Sequence, residues 1–189
     1  MSAIRTPSGR ISLAPLLLSL LGLAFHLTSC SEQAPSAAAD EKGPRPSPAA
    51  TVKATVASGA TFTIRYSRPS ANERKVMGGL VPYGQVWRTG ANEATTFTVD
   101  KPVRVQGRPL PAGKYALFTI PQEKEWTIIF NSQPNQWGAY EYEPTRDTLR
   151  VTAPVSTLPR TLEQFTITAD KAGQVNLAWE TTQATFKVE

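Results

Sequence analysis

Residues 115–131, YALFTIPQEKEWTIIFN, carry the clearest fold signal in the chain. Two runs rich in aromatic and β-branched residues flank the polar segment 121–125. Apolar runs of this length, separated by a short polar loop, are typical of an antiparallel hairpin. Trp126 and Phe130 fall at alternate strand positions, and we expect both in the core.

Similar patterns continue on both sides of this hairpin and predict an all-β fold. The predicted strands outside it begin near Thr51 and include 61–66, 95–99, 102–105, 148–155, 165–168, 175–179 and 185–188. No stretch keeps a helical apolar period for more than two turns. About ten short strands spaced by turn signals are typical of an antiparallel β-sandwich or a jelly-roll-like barrel. We therefore predict one β domain over residues 51–189.

The beginning of the chain has the pattern of an export signal. Arg5 and Arg10 precede the apolar run 11–25, which has the length of a signal-peptide core and is too short to span a bilayer. Cys30 follows Leu-Thr-Ser, as in the lipobox of bacterial lipoproteins. This predicts a cleaved signal peptide over 1–29 and a lipid on Cys30.

The residues after Cys30 predict a tether at a membrane surface. Residues 31–50 are rich in Pro, Ala and Ser without apolar periodicity, which is typical of a disordered linker. We expect segment 30–50 to hold the domain at the bacterial envelope, facing the periplasm or the cell exterior. Ser31 is consistent with sorting to the outer membrane.

Cleavage after residue 29 would exclude several kinds of site. It would remove His26, the only histidine, while the lipid would occupy Cys30, the only cysteine. Zinc sites of His and Cys, histidine-dependent triads and histidine-ligated haem would then be excluded. We predict no metal, no cofactor and no catalytic residue. Without Arg5 and Arg10, 18 basic residues face 15 acidic ones, a balance of +3 with no basic cluster, so we predict no nucleic-acid binding.

The connection 66–95 is the longest segment between predicted strands, and long ordered loops are often functional. Residues 70–73, Ser-Ala-Asn-Glu, match a capping box, and two glycines follow at 78–79. This pattern predicts a short helical turn over about 71–77.

The same connection supplies the candidate ligand-binding residues, whose side chains offer guanidinium, amide, carboxylate and aromatic groups. They are Arg68, Arg74, Trp87, Arg88, Asn92 and Glu93. Such groups suit a small polar or saccharide ligand, with Tyr83, Trp137 and Tyr140 as further aromatic faces. Two alternatives stay open. The loop could be internal scaffolding of a structural or protein-interaction module, with an Arg88–Glu93 ion pair. The chain could also be a hydrolase that pairs Glu93 with another carboxylate, from Asp147, Glu141 or Glu143.

Several motifs resemble the DUF2911 family of exported bacterial proteins. They are YSRPS at 66–70, GLVPYG at 79–84, WRTGANEAT at 87–95, AGKY at 112–115, WTIIFN at 126–131, WGAY at 137–140 and DTLRV at 147–151. The resemblance spans most of residues 50–189. It implies membership of a family of unknown function and brings no activity, substrate or catalytic residue with it.

Overall fold

The computed structural model describes residues 45–189, and these form nine β-strands and one 3₁₀ turn. The strands are β1 (Ala49–Thr55), β2 (Thr61–Ser67), β3 (Thr96–Val99), β4 (Val103–Val105), β5 (Arg108–Leu110), β6 (Gly113–Pro121), β7 (Glu125–Asn131), β8 (Asp147–Ala169) and β9 (Gln174–Lys187); the 3₁₀ turn is Pro144–Arg146.

Seven strands form one antiparallel sheet in the order β1-β2-β3-β6-β7-β8-β9, and β4 pairs with β5 in a separate hairpin. The predicted hairpin over 115–131 is confirmed, since β6 and β7 pair from Ala116–Asn131 to Pro121–Trp126. The all-β antiparallel class is confirmed as well. Its architecture is a curled sheet of seven strands plus the small hairpin.

The curl originates in the two longest strands. The segments predicted as separate strands at 148–155 and 165–168 lie within one strand, β8, and those at 175–179 and 185–188 belong to β9 and its end. The β8–β9 register shifts between Thr157 and Leu162 and again between Leu162 and Thr166. Extra residues on one strand bend it and increase its twist. The segment 158–161 thus lies within an irregularity of the pairing and does not end the strand.

Both faces of the central hairpin are buried. Its inward residues, among them Trp126 and Phe130, belong to the main core, whereas Phe118 and Ile129 point to the other face. Val86 and Tyr142 pack on that outer face from the two long loops. The sheet therefore has a loop-covered outer side, and these loops shape the surface grooves.

The helical turn predicted over 71–77 is wrong. Asn72 and Glu73 have φ of 48° and 62°, in the left-handed region, and the N–H of Arg74 closes a tight turn on the carbonyl of Ala71. Glu163 explains the difference: its carbonyl accepts the N–H of Ala71 and its carboxylate accepts the N–H of Asn72. A helix start would leave its first N–H groups to its own cap. Here β8 binds two of these N–H groups instead.

The start of the described region lies against the domain. The carbonyl of Pro48 accepts the N–H of Arg68 at 2.9 Å, and β1 begins at Ala49, two residues before the expected boundary. The predicted signal peptide, Cys30 and most of the predicted tether lie outside the described residues. Within residues 45–189, no helix is long and apolar enough to cross a membrane.

Candidate functional site

A groove centred on Glu93 crosses the outer side of the sheet. Two hollows of about 360 Å³ each adjoin there, and Glu93, Ala94 and Thr96 line both of them. One hollow extends over β1 and β2, where the exposed Arg65 lines it. The other extends to loop segment 134–137. We call the two hollows together the Glu93 groove.

The wall of the groove opposite Glu93 is formed by loop segment 136–138, and backbone hydrogen bonds hold this wall in place. The N–H of Ala94 donates to the carbonyl of Gln136, and the N–H of Gly138 donates to that of Asn92. Trp137 thereby lies opposite Glu93 in a one-residue antiparallel bridge. Its side chain is 59% exposed, although a tryptophan normally buries most of its surface. A large aromatic face is therefore presented to solvent beside a carboxylate.

Glu93 is paired but accessible. Nη1 of Arg45 donates to Oε1 of Glu93 at 2.8 Å, and each side chain is about half exposed. The hydrogen bond from Arg45, a backbone hydrogen bond and the arginine charge outweigh partial burial and lower the pKa of Glu93 below its ordinary value. Glu93 is thus an ionised acceptor at neutral pH.

A polar network lies behind the wall opposite Glu93. Gln136 donates to Oδ1 of Asn131 at 3.4 Å and to a nearby carbonyl at 2.6 Å. Nδ2 of Asn131 donates to Asp147 at 2.9 Å, and the other oxygen of Asp147 accepts from Tyr142 and Arg150, both at 2.7 Å. This network fastens the loop between β7 and β8, which carries Trp137, to the first residue of β8.

Gln136 also brings an unused acceptor to the groove. It is 5% exposed and lines the hollow next to Trp137, and its Oε1 has no hydrogen-bond partner among residues 45–189. Buried polar atoms are nearly always hydrogen-bonded, so an orphaned acceptor at a groove wall is the kind of group that a water or a ligand donor satisfies.

The structure places Trp87, one of the predicted ligand-binding residues, in the core. Its ring packs against Trp126, Phe165 and Trp179 with centroid distances of 5.0–6.1 Å. Its Nε1 donates to the carbonyl of Gly90 at 3.1 Å, so its polar atom is satisfied as well. Trp87 therefore fastens the long connection to the interior.

Arg68, Arg74 and Asn92 do not line the groove, and their side chains make hydrogen bonds within the protein. Arg68 donates to the carbonyl of Phe165 and to Thr166, and Arg74 donates to two carbonyls of its own turn. Asn92 donates to Ser67 and to the carbonyl of Ser47, both at 3.3 Å. These residues hold the loop and the segment before β1 in place.

Arg88 stands apart from Glu93. Its Nε is buried without a hydrogen-bond partner in the described chain, and the ion pair of Glu93 is made with Arg45. Of the six predicted residues, only Glu93 thus lines the groove, while Trp137, noted as a further aromatic face, joins it from a different loop.

Sequence reasoning missed Arg45, Arg65, Asn135 and Gln136. Arg45 lies in a segment predicted to be a disordered tether, and Arg65 occupies an outward position of the predicted strand 61–66. The outward position of Arg65 could have been derived from strand alternation. Nothing in the sequence places Gln136 beside Glu93.

The other carboxylates predicted as possible catalytic partners of Glu93 do not line the groove. Asp147 is engaged in the network, and Glu143 forms an exposed pair with Arg146 at 3.6 Å. In the part of the chain that the structure describes, no three His, Cys, Asp or Glu residues are grouped so that they could hold a metal ion. The Glu93 groove has one carboxylate among its lining residues.

Comparison with known proteins gives one match. The family model DUF2911, described as a protein of unknown function, matches residues 47–188. No curated protein and no solved structure matches the chain. The matched region covers all nine strands, the long connection and the Glu93 groove apart from Arg45.

Proposed function

We propose that this chain, which belongs to the DUF2911 family, is a non-enzymatic binding module of the bacterial envelope that takes a small polar or saccharide ligand in the Glu93 groove. The observation that carries the proposal is the exposed face of Trp137 beside the ionised Glu93, in a groove with preformed walls.

The groove has the chemistry that a sugar ring needs. An aromatic face packs on the apolar side of the ring, and a few convergent polar groups orient the hydroxyls. Trp137 offers the face, and Glu93, Arg65 and Asn135 line the groove with acceptors and donors. Each hollow, at about 360 Å³, is within the usual range for small-ligand sites, roughly 300–1,000 Å³.

Two features favour binding over hydrolysis. A glycosidase uses two carboxyl groups on opposite sides of the bond, and the groove lining contains one. A general acid needs a raised pKa, whereas the Arg45 hydrogen bond lowers that of Glu93. The arrangement therefore suits recognition of a hydroxyl or amine better than bond cleavage.

The scaffolding alternative predicts a different effect of a Glu93 substitution on stability. Its only side-chain partner among the described residues is the half-exposed Arg45, and exposed ion pairs contribute about 0–1 kcal/mol. Glu93→Gln should leave stability almost unchanged and weaken ligand binding. A large loss of stability would favour the scaffolding alternative.

Titration of the full chain with a panel of soluble mono- and oligosaccharides, followed by tryptophan fluorescence and calorimetry, tests the proposal. At least one saccharide should bind saturably, and Trp137→Ala should weaken it at least tenfold without changing the melting temperature. Tyr83→Ala is the matched control, because Tyr83 is also exposed and aromatic but lines a different hollow. Equal effects of both variants, or no saturable binding, would refute the saccharide site.

The location in the envelope is part of the proposal. A lipid on Cys30 would hold the domain at the membrane through the tether, with each buried CH₂ contributing about 0.8 kcal/mol. Cys30→Ser should abolish incorporation of labelled fatty acid and release the chain from the membrane fraction. Unchanged membrane retention in this variant would overturn lipid anchoring.

A further inference from the structure

Another surface cavity, which shares no lining residue with the Glu93 groove, is lined by two arginines. It has a volume of about 350 Å³ and lies where the β4–β5 turn meets β7 and β8. Arg108 and Arg150 contribute guanidinium groups, and Thr127 and Thr152 contribute hydroxyls. None of its lining residues is acidic.

Hydrogen bonds to the protein hold both guanidinium groups in place. Nη1 of Arg108 donates to the backbone carbonyl of Arg150 at 2.6 Å. Nε of Arg150 donates to Asp147, and its Nη2 donates to Tyr142, both at 2.7 Å. Each arginine keeps N–H groups without a partner in the described chain: Nε and Nη2 of Arg108, and Nη1 of Arg150. These donors are oriented before any ligand arrives, so little side-chain entropy is lost on binding.

The β4–β5 turn that lines the cavity is fixed as well. Nε2 of Gln106 donates to the carbonyl of Thr152 at 2.9 Å, and its Oε1 accepts the N–H of Lys187 at 3.0 Å. Gln106 therefore ties the β4–β5 turn to both β8 and β9. The relative positions of the two arginines are set by this packing, not by flexible loops.

We propose that the cavity of Arg108 and Arg150 is a binding site for a tetrahedral oxyanion, that is, a phosphate or sulfate group. Arg150 is already paired with Asp147 at 2.7 Å, whereas Arg108 forms no ion pair within residues 45–189. Because no lining residue is acidic, the charge of Arg108 is left for an anion to neutralise. Arginine forks bind phosphate oxygens with charge-assisted hydrogen bonds. Donors from two arginines and two threonine hydroxyls suit a group with three or four oxygens better than a carboxylate with two. No residue lines both this cavity and the Glu93 groove, and the proposal does not rest on the proposed function.

Amide chemical shifts of the ¹⁵N-labelled full chain, at constant ionic strength, test the proposal. Inorganic phosphate and sulfate should each give saturable shifts at Gln106 and Thr152, and acetate should bind at least tenfold more weakly. Absence of saturable shifts with both tetrahedral anions would overturn the site. Acetate binding as tight as phosphate would overturn the assignment to a tetrahedral group.

The variants separate a built site from general attraction by positive charge. Arg108→Ala should weaken phosphate binding roughly tenfold or more, as expected when a hydrogen bond to a charged group is lost. Arg160→Ala is the matched control, because Arg160 lies on β8 like Arg150 and is exposed but does not line the cavity. Arg108→Lys keeps the charge and loses the fork, and it should bind with intermediate affinity even if the alanine variant folds poorly. Equal weakening in the Arg160 and Arg108 variants would refute the proposal.

Discussion

At the scale of single residues, the segment before β1 supplies the ion-pair partner of the groove residue Glu93. Arg45 lies four residues before the first strand, yet it forms the ion pair of Glu93. Ser47 and Pro48 follow it along the domain, with their carbonyls accepting from Asn92 and Arg68. A ligand that binds the carboxylate of Glu93 must therefore compete with Arg45.

The pKa of Glu93 reports this contact. Arg45→Ala removes the hydrogen bond that contributes most to lowering the pKa, so the pKa of Glu93 should rise toward the ordinary value of a glutamate. A ¹³C carboxylate titration by NMR measures it. Lys53→Ala, which removes a cation from β1, is the control, since Lys53 forms no ion pair with Glu93. A pKa that stays low in the Arg45 variant would contradict the contact.

The sign of the stability effect follows from the direction of this shift. Because the folded pKa of Glu93 is lowered, its contribution is present above the unfolded pKa and is lost as the pH falls through the folded pKa. The pair is half exposed, so this acid-sensitive contribution should be small, and Arg45→Ala should reduce it further.

At the scale of elements, Asp147 connects the β7–β8 loop to the sheet. Its side chain is 7% exposed and accepts hydrogen bonds from Asn131, Tyr142 and Arg150. The loop that it fastens carries Gln136 and covers the outer face of β6 and β7 through Tyr142. The shape of the groove wall therefore depends on a carboxylate that is not itself in the groove.

Asp147→Asn should loosen this loop while the sheet persists. The side-chain amide of the asparagine would place an N–H donor at the oxygen to which two of the three hydrogen-bond donors, Tyr142 and Arg150, now donate. The free energy of unfolding should fall by about 1–3 kcal/mol. Hydrogen exchange should rise over residues 132–146 and remain slow in β2 and β3. Glu143→Gln, which breaks only an exposed pair, should cost less than about 1 kcal/mol and provides the control.

Tyr142 gives a spectroscopic readout of the same network. Burial, together with the hydrogen bond and charge of Asp147, raises the pKa of Tyr142 to about 12. A raised pKa means that the phenol supports the fold fully below its ordinary pKa of 10 and that this support is lost as the pH rises from 10 toward 12. In Asp147→Asn the ultraviolet titration of Tyr142 should move to lower pH. An unchanged titration would show that burial alone sets the value.

At the scale of the whole molecule, the curl of the sheet brings the end of the chain back onto its own turns. The N–H of Val188 donates to the carbonyl of Gly173, in the β8–β9 turn. Arg104 and Glu189 exchange two backbone hydrogen bonds, which join β4 to the last residue. These contacts close one end of the molecule without a disulfide.

Gly173→Ala should open this closure. Gly173 has φ of +83°, and a Cβ there would lie 1.8 Å from the carbonyl oxygen of Val188, so backbone must move. Gly107→Ala is the matched control, since its φ of +73° is similar but nothing lies within 4 Å of its Cβ. The control should cost about 1–2 kcal/mol for the left-handed backbone alone. Gly173→Ala should cost more by urea denaturation, and equal costs would show that the contact with Val188 yields easily.

Much of the fold follows from local patterns. Alternation and turn residues around 61–66 and 115–131 predict strands and a hairpin that the structure confirms, because these signals act between residues near in sequence. The left-handed turn at Asn72 and the continuous β8 could not be read in this way. Both depend on Glu163 and β9, which are distant in sequence and decide where the backbone hydrogen bonds go.

The sequence by itself determined the all-β class, the strand-rich core and the family, because each rests on local composition and motif. It also contained the export pattern that underlies the proposed anchor. Only the tertiary structure decided which polar residues meet: Trp87 went to the core, while Glu93 met Arg45 and Trp137 across 48 and 44 residues of chain. These contacts form because loops pack on a curled sheet. The free energy that positions the loops comes from contacts between residues distant in sequence.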